Sequence, residues 1–372
     1  MAQLNINIAG DFIDSFIYSG VLFTVDTDGR LCSYSWNNLV ERYFSRYPEY
    51  SYIKSKILDC RDRKNKPITE DITLNFEKSF LEKNQKGTCC DLNVWSTDLD
   101  VKDNILYISS ERGLETLPFL EEWDNGKVMK FNELVPLWKE AKVFGLSTGS
   151  WGRTILAAGN NGALEIMNND VEQLKKIGFS RKTEKIINNS VCLDCEWNSN
   201  STLAILEGLG NKMIYLFNNV ASDSTFKNKG TKKRTSKTKE PNEESIKKIT
   251  DILSRETVQD ISKVEFQNSW FEGSELYATG EGNKEHMFKN NKWMELSDCT
   301  LDLNSTIISK VKKINSGRFI ETDSDELFRV NDRREYLLSD DYTSWRVFPR
   351  SKNYQDRIHI VNDDYLQIKI FD

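Results

Sequence analysis

Cys192 and Cys195 stand three apart in Val191-Cys192-Leu193-Asp194-Cys195-Glu196-Trp197. That spacing serves zinc or disulfide exchange when it lies in a turn. Here the run reads as a strand, in which residues three apart face opposite ways. No second ligand pair accompanies it, because the other neighbouring cysteines are Cys89 and Cys90 and the only histidines are His286 and His359. The expectation is buried thiols and no metal. His286 and His359 both lie in alternating apolar runs and read as ordinary strand residues. No Gly-x-Ser-x-Gly elbow accompanies them to build a nucleophile.

Paired acids recur at Asp26/Asp28, Asp98/Asp100, Asp323/Asp325, Asp340/Asp341 and Asp363/Asp364. Two carboxylates facing one sugar would make a glycosidase. Each pair falls where a turn is expected, however, and Asp in a turn commonly accepts hydrogen bonds from its own backbone. Gly145–Gly152 carries glycines and hydroxyls, but a strand follows it. The helix N-terminus that would bind phosphate is therefore missing. No cofactor motif is present and no catalytic residue is assigned. Ser339-Asp340-Asp341-Tyr342-Thr343-Ser344-Trp345 is similar to the Asp-box of sialidase-like propellers, Ser-x-Asp-x-Gly-x-Thr-Trp. Thr343 replaces the Gly, the Trp comes one position early and the box occurs once, so it reads as coincidence.

The elements that must position these residues are strands. Seven times an apolar run breaks at a Gly, Asp or Asn turn and resumes as a second run. The runs are Phe12–Tyr18, Val21–Val25 and Arg30–Trp36; Asp91–Ser96, Ile105–Ser109 and Leu114–Phe119; and Lys142–Ser147, Arg153–Ala158 and Ala163–Met167. They continue with Ser190–Trp197, Thr202–Leu206 and Lys212–Phe217, and with Ser262–Trp270, Glu275–Thr279 and Lys284–Lys289. Last come Ile308–Asn315, Arg318–Glu321 and Glu326–Val330, then Trp345–Arg350, Arg357–Val361 and Tyr365–Phe371. Asp28-Gly29, Asn161-Gly162 and Gly208–Asn211 supply residues that tolerate positive φ at the tight turns.

A period of this kind resembles β-propellers of the WD40 or quinoprotein-like architecture, with four antiparallel strands per blade. The resemblance implies an all-β fold over residues 1–372, a single propeller of seven blades. The strictly alternating Leu4–Ile8 is expected to complete the last blade and so leave no unpaired edge. The Gly-His and Trp-Asp signatures of WD40 repeats and the kelch double glycine are absent. What the resemblance implies for function is a rigid platform that holds partners.

Departures from the period are also legible. Asn37–Phe44 reads as a helix, and Ile68–Phe76 as the outer strand of blade 1. Leu134–Lys139 and Asn169–Ile177 read as short helices. Residues 221–241 are polar and basic and are expected to be disordered. An amphipathic helix follows over 242–255, with Asn242 as its N-cap. Seven bases and no acids lie between Lys227 and Lys239, including Lys232, Lys233, Arg234, Lys237 and Lys239. Removing those seven from a net charge of −6 leaves −13 for the remainder, so the body is a poor nucleic-acid binder. No aromatics interleave the basic run, so nucleic-acid contact there would be weak and purely electrostatic.

The chain is expected to be cytoplasmic, in a reducing compartment. Seven cysteines fit no small disulfide scaffold. Met1–Gly10 carries no signal-peptide pattern, and no apolar run is long enough for a membrane span. The functional reading is a non-enzymatic interaction module, a scaffold or regulatory subunit with a protein partner. Trp123, Trp138 and Trp151 are the candidate exposed anchors, because aromatics dominate interface hot spots. One alternative is a propeller hydrolase or lyase for glycans or phosphoesters, with Asp, Glu, Arg or His side chains converging on the central channel. The other is a nucleic-acid-associated accessory protein acting through Lys227–Lys239.

Overall fold

In this computed structural model, residues 3–58, 68–84, 89–122, 126–149, 151–176, 178, 184–198, 203–208, 212–216, 243–254, 259–263, 266–273, 275–280, 284–296, 307–331 and 334–371 are described. Seven sheets follow one another along the chain, each built on four antiparallel strands. Blade 1 is Phe12–Tyr18, Val21–Asp26, Arg30–Ser35 and Cys89–Asp91; blade 2 is Ser96–Lys102, Ile105–Ser110, Gly113–Glu122 and Val135–Trp138. Blade 3 is Gly145–Thr148, Arg153–Ala157, Ala163–Met167 and Glu184–Asn188; blade 4 is Asp194–Trp197, Leu203–Glu207, Lys212–Leu216 and Gln259–Asp260. Blade 5 is Asn268–Glu272, Glu275–Thr279, Glu285–Lys289 and Lys292–Glu295; blade 6 is Ile308–Ile314, Gly317–Thr322, Leu327–Asn331 and Arg334–Ser339. Blade 7 is Ser344–Val347, Arg357–Val361, Tyr365–Ile370 and the N-terminal Leu4–Ala9.

The N-terminal strand therefore completes the last blade, as its alternation predicted. Leu4 opposes Ile370 and Ile8 opposes Leu366, and all four side chains are fully buried. Such closure pairs an edge that would otherwise be open to another chain.

The chain divides into two compact units. One holds Met1–Lys139 with Glu265–Asp372, and the other holds Glu140–Val264. In the first unit the leading strands of blades 5, 6, 7, 1 and 2 lie side by side in that order. In the second, the leading strands of blades 3 and 4 are neighbours.

Four readings change. Asp91–Ser96 is not the first strand of blade 2: Cys89–Asp91 closes blade 1, and Ser96–Lys102 leads blade 2. Asp98 and Asp100 hid that strand, because two acids in four residues read as a turn. They lie instead on an inner strand that meets arginines. Ile72–Phe76 pairs in parallel with Leu4–Ala9 at the edge of blade 7 and not with blade 1. Its buried Phe76 stacks on Trp36 and Tyr43 of the helix Trp36–Arg46, which sits where Asn37–Phe44 was expected. Leu134–Lys139 is not helical: Val135–Trp138 pairs with Gly113–Glu122 as the last strand of blade 2.

The fourth difference is a disulfide. Cys32 and Cys89 oppose each other across the blade 1 ladder with Cα atoms 4.3 Å apart, and their sulfurs are bonded. The expectation of reduced thiols throughout the chain fails for this pair, because a direct cross-strand position brings the Cβ atoms within bonding reach. Two expected helices are present: Glu172–Lys176 is short and Glu243–Ser254 longer. Asn242 and residues 221–241 lie outside the described residues. No described helix is long and apolar enough to cross a membrane.

Candidate partner-docking face

A leading strand runs away from one end of its blade and the second strand returns. Each turn between second and third strands therefore lies at the same end as the start of the leading strand. We call this end the leading face. In the first unit it collects four of the five acid pairs that the sequence singled out. Asp26 and Asp28 lie in the blade 1 turn, Asp323 and Asp325 in that of blade 6, and Asp363 and Asp364 in that of blade 7; Asp340 and Asp341 precede the leading strand of blade 7. All but the half-buried Asp26 are exposed. Turn chemistry accounts for Asp26, whose Oδ1 accepts the backbone N–H of Asp28 at 3.1 Å and that of Arg30 at 2.8 Å.

Large apolar side chains stand among these acids. Trp95, immediately before the leading strand of blade 2, is 62% exposed, and Ile307, immediately before that of blade 6, is 68% exposed. In the second unit the corresponding positions hold Phe144 and Leu193, at 37% and 36%. Trp95 is held in place: its indole Nε1 donates to the Thr27 carbonyl at 2.8 Å. Thr27 N–H donates to Asp11, and Gly10 N–H to Asp364, which knits blades 7, 1 and 2 at this end. Gly29 lets the Trp95 loop approach. Its φ is +76°, and a Cβ there would lie 3.0 Å from the Val94 carbonyl oxygen.

Below this face the inner strands carry the convergent ionisable groups that a hydrolase would require. Arg346 of blade 7 donates through Nη2 to Asp14 of blade 1 at 2.8 Å and to Asp98 of blade 2 at 2.7 Å, and through Nη1 to the Leu99 carbonyl at 3.0 Å. Arg350 pairs with Asp100. Burial disfavours the charge on Arg346, yet Asp14 and Asp98 overcome that and raise its pKa. One guanidinium thus clamps three blades, and its charge is spent on the clamp.

His359 and Ser15 lie beside it, with Ser15 Oγ 2.7 Å from His359 Nδ1. The distance is that of a nucleophile and its base. Both residues are only 1% exposed, and burial, followed by Arg357 and Arg346, holds the imidazole well below its ordinary pKa. Both groups are sealed from solvent, and their contact joins blade 7 to blade 1.

The remaining sequence candidates disperse. Trp138 and Trp151, expected as exposed anchors, are 6% and 7% exposed: Trp138 ends a strand, and Trp151 fills a turn with φ +64°. Trp123 and Lys232, Lys233, Arg234, Lys237 and Lys239 lie outside the described residues. Cys192 and Cys195 are both buried and unbonded to each other, and burial pushes the Cys192 thiol up to about 12. His286 Nδ1 sits 3.1 Å from the Lys284 carbonyl oxygen. Trp95 was missed because aromatic type alone does not report exposure.

Among proteins of known structure, 1076 chains match. One is the Pan2 WD40 domain of Neurospora crassa, with a TM-score of 0.46 and 6% identity over 97% of this chain and 89% of that one. Another is YCF48 bound to D1 peptide, at 0.49 and 9% over 100% and 96%. A third is Raptor of Chaetomium thermophilum, at 0.52 and 8% identity, covering 100% of this chain and 29% of that one. No family model and no curated protein matches. The chain is a divergent seven-bladed β-propeller, and at these identities the likeness is one of fold.

Proposed function

We propose that this propeller is a non-enzymatic interaction module, a scaffold or regulatory subunit that seats a protein partner on the leading face of its first unit. The observation that carries this reading is the exposure of Trp95 and Ile307, each at the start of a leading strand, on a face built from hydrogen-bonded turns. An exposed aromatic held rigidly has little conformational entropy left to lose on docking, which is the property of a hot-spot anchor. The inner ionisable groups do not compete with this reading, since Arg346 and Arg350 occupy the carboxylates that acid–base chemistry would need.

The experiment is affinity capture of the native full-length chain beside a Trp95→Ala/Ile307→Asp variant, with thermal melting of both to establish equal folding. A stoichiometric partner held by the native chain and lost from the variant is the expected result. A partner held equally by both would place the docking surface elsewhere.

A further inference from the structure

The leading face of the first unit also carries information about what sits on it. Among the described residues, Asp28, Asp323, Asp325, Asp363 and Asp364 are exposed and form no ion pair. Several bases near this end already pair with acids, although Lys139, beside the blade 2 turn at Gly113, is exposed and forms no ion pair among the described residues. Arg112 bonds Glu115 at 2.8 Å, Lys284 bonds Glu295 at 3.0 Å, and Arg30 and Lys78 lie 3.9 Å from Asp91 and Asp11. The exposed acids on the face that carries Trp95 and Ile307 outnumber Lys139, so the charge presented there is negative.

A partner that buried Trp95 under a purely apolar surface would strip water from those carboxylates and give nothing back. Burying an ionised carboxylate without a partner is strongly unfavourable. An acidic or nucleic-acid partner would be repelled as well. Only a surface that brings its own cations avoids both costs. Lys and Arg are suited to this, because their apolar stems cover hydrophobic surface while their charged ends reach outward.

Resting on the docking reading above, we infer that the occupant is a basic, apolar-anchored segment of a protein partner. An aliphatic or aromatic side chain packs against Trp95, and Lys or Arg side chains reach Asp28, Asp363 and Asp364. Where the segment extends over blade 6, the second apolar contact is Ile307 and the second charge contact is Asp323 with Asp325. Complementary charge also speeds encounter, so association is salt-sensitive. A guanidinium or ammonium from the partner would then repeat on the surface what Arg346 does to Asp14 and Asp98 below it.

The test is selection of short random peptides displayed on phage against the immobilised native full-length chain, followed by titration of the enriched peptides. Two folded variants serve as comparisons, Trp95→Ala and the triple Asp28→Asn, Asp363→Asn, Asp364→Asn. Every substituted side chain is exposed, so both are expected to melt as the native chain does. The expected result is enrichment of sequences with Lys or Arg beside an aliphatic or aromatic residue. Their affinity should fall about tenfold or more in each variant, the loss of a hot-spot contact, and weaken as salt rises. Enriched peptides that are neutral or acidic, yet lost from Trp95→Ala, would keep the docking face and overturn its partner chemistry. Peptides that bind both variants as well as the native chain, or a selection that yields no face-dependent binder, would overturn the proposal altogether.

Discussion

Carboxylates occupy three environments in the first unit, and the contrast separates what holds the fold from what is free to bind. Asp14 and Asp98 are clamped by Arg346 on the inner strands. Glu121 is 6% exposed and, among the described residues, neither of its oxygens has a hydrogen-bond partner. Asp325 and Asp364 stand in water at the leading face. The same functional group is a fastener, a liability or a docking contact according to what surrounds it. Fasteners come from distant parts of the chain, whereas the docking contacts come from local turns.

The largest expected effect breaks the fastener. Arg346→Met should cost about 3–5 kcal/mol, because it leaves two inner-strand carboxylates facing each other without a cation. Urea unfolding measures it, and adding Asp14→Asn and Asp98→Asn should return much of the loss. A cost below about 1 kcal/mol would show that the clamp is ornamental.

Removing the liability should have the opposite sign. Burial pushes Glu121 up to about 7 from an ordinary 4.5. Between those values the native chain holds a proton that the unfolded chain releases, so this group's contribution to stability is lost as pH rises through about 7. Glu121→Gln should therefore gain about 2 kcal/mol at pH 8 and almost nothing at pH 4, measured as the pH dependence of unfolding. A variant that parallels the native chain at every pH would assign Glu121 a partner that relieves its burial.

Gly29→Ala places a Cβ against the Val94 carbonyl at positive φ. It should cost about 1 kcal/mol and shift the emission of Trp95. Smallest of all, Asp325→Asn or Asp364→Asn should leave stability within about 0.5 kcal/mol of native, since surface substitutions away from networks seldom do more. A larger loss would move those acids from the docking set to the fastening set.

Much of the scaffold could be read from the residues. Outside blade 2, three strands per blade were visible because each is an apolar run bounded by a Gly, Asn or Asp turn, as at Val21–Asp26, Asp28-Gly29 and Arg30–Ser35. The fourth strands were largely invisible, being as short as Gln259–Asp260 and Cys89–Asp91. Too few residues remain there for alternation to register. Ser96–Lys102 was obscured by acids whose arginines lie about 250 residues away, at Arg346 and Arg350. No local pattern encodes that partnership. Four of the five acid pairs lie at turns as expected, and the fifth, Asp98/Asp100, does not; turn chemistry explains Asp26 but leaves the exposure of Asp323, Asp325, Asp363 and Asp364 unexplained. Trp95 shows the same limit: its type was visible, but its exposure arises from a loop tied to Thr27, 68 residues earlier.

Hydrogen exchange on the native complex, with and without its captured partner, tests the docking face most directly. Added protection is expected at the leading-face turns 26–30, 322–326 and 362–365 and at the Trp95 loop, with the opposite turns at Ser19–Gly20, Asp103–Asn104 and Ser316–Gly317 unchanged. Protection confined to those opposite turns, with the Trp95 loop exchanging as in the free chain, would contradict it.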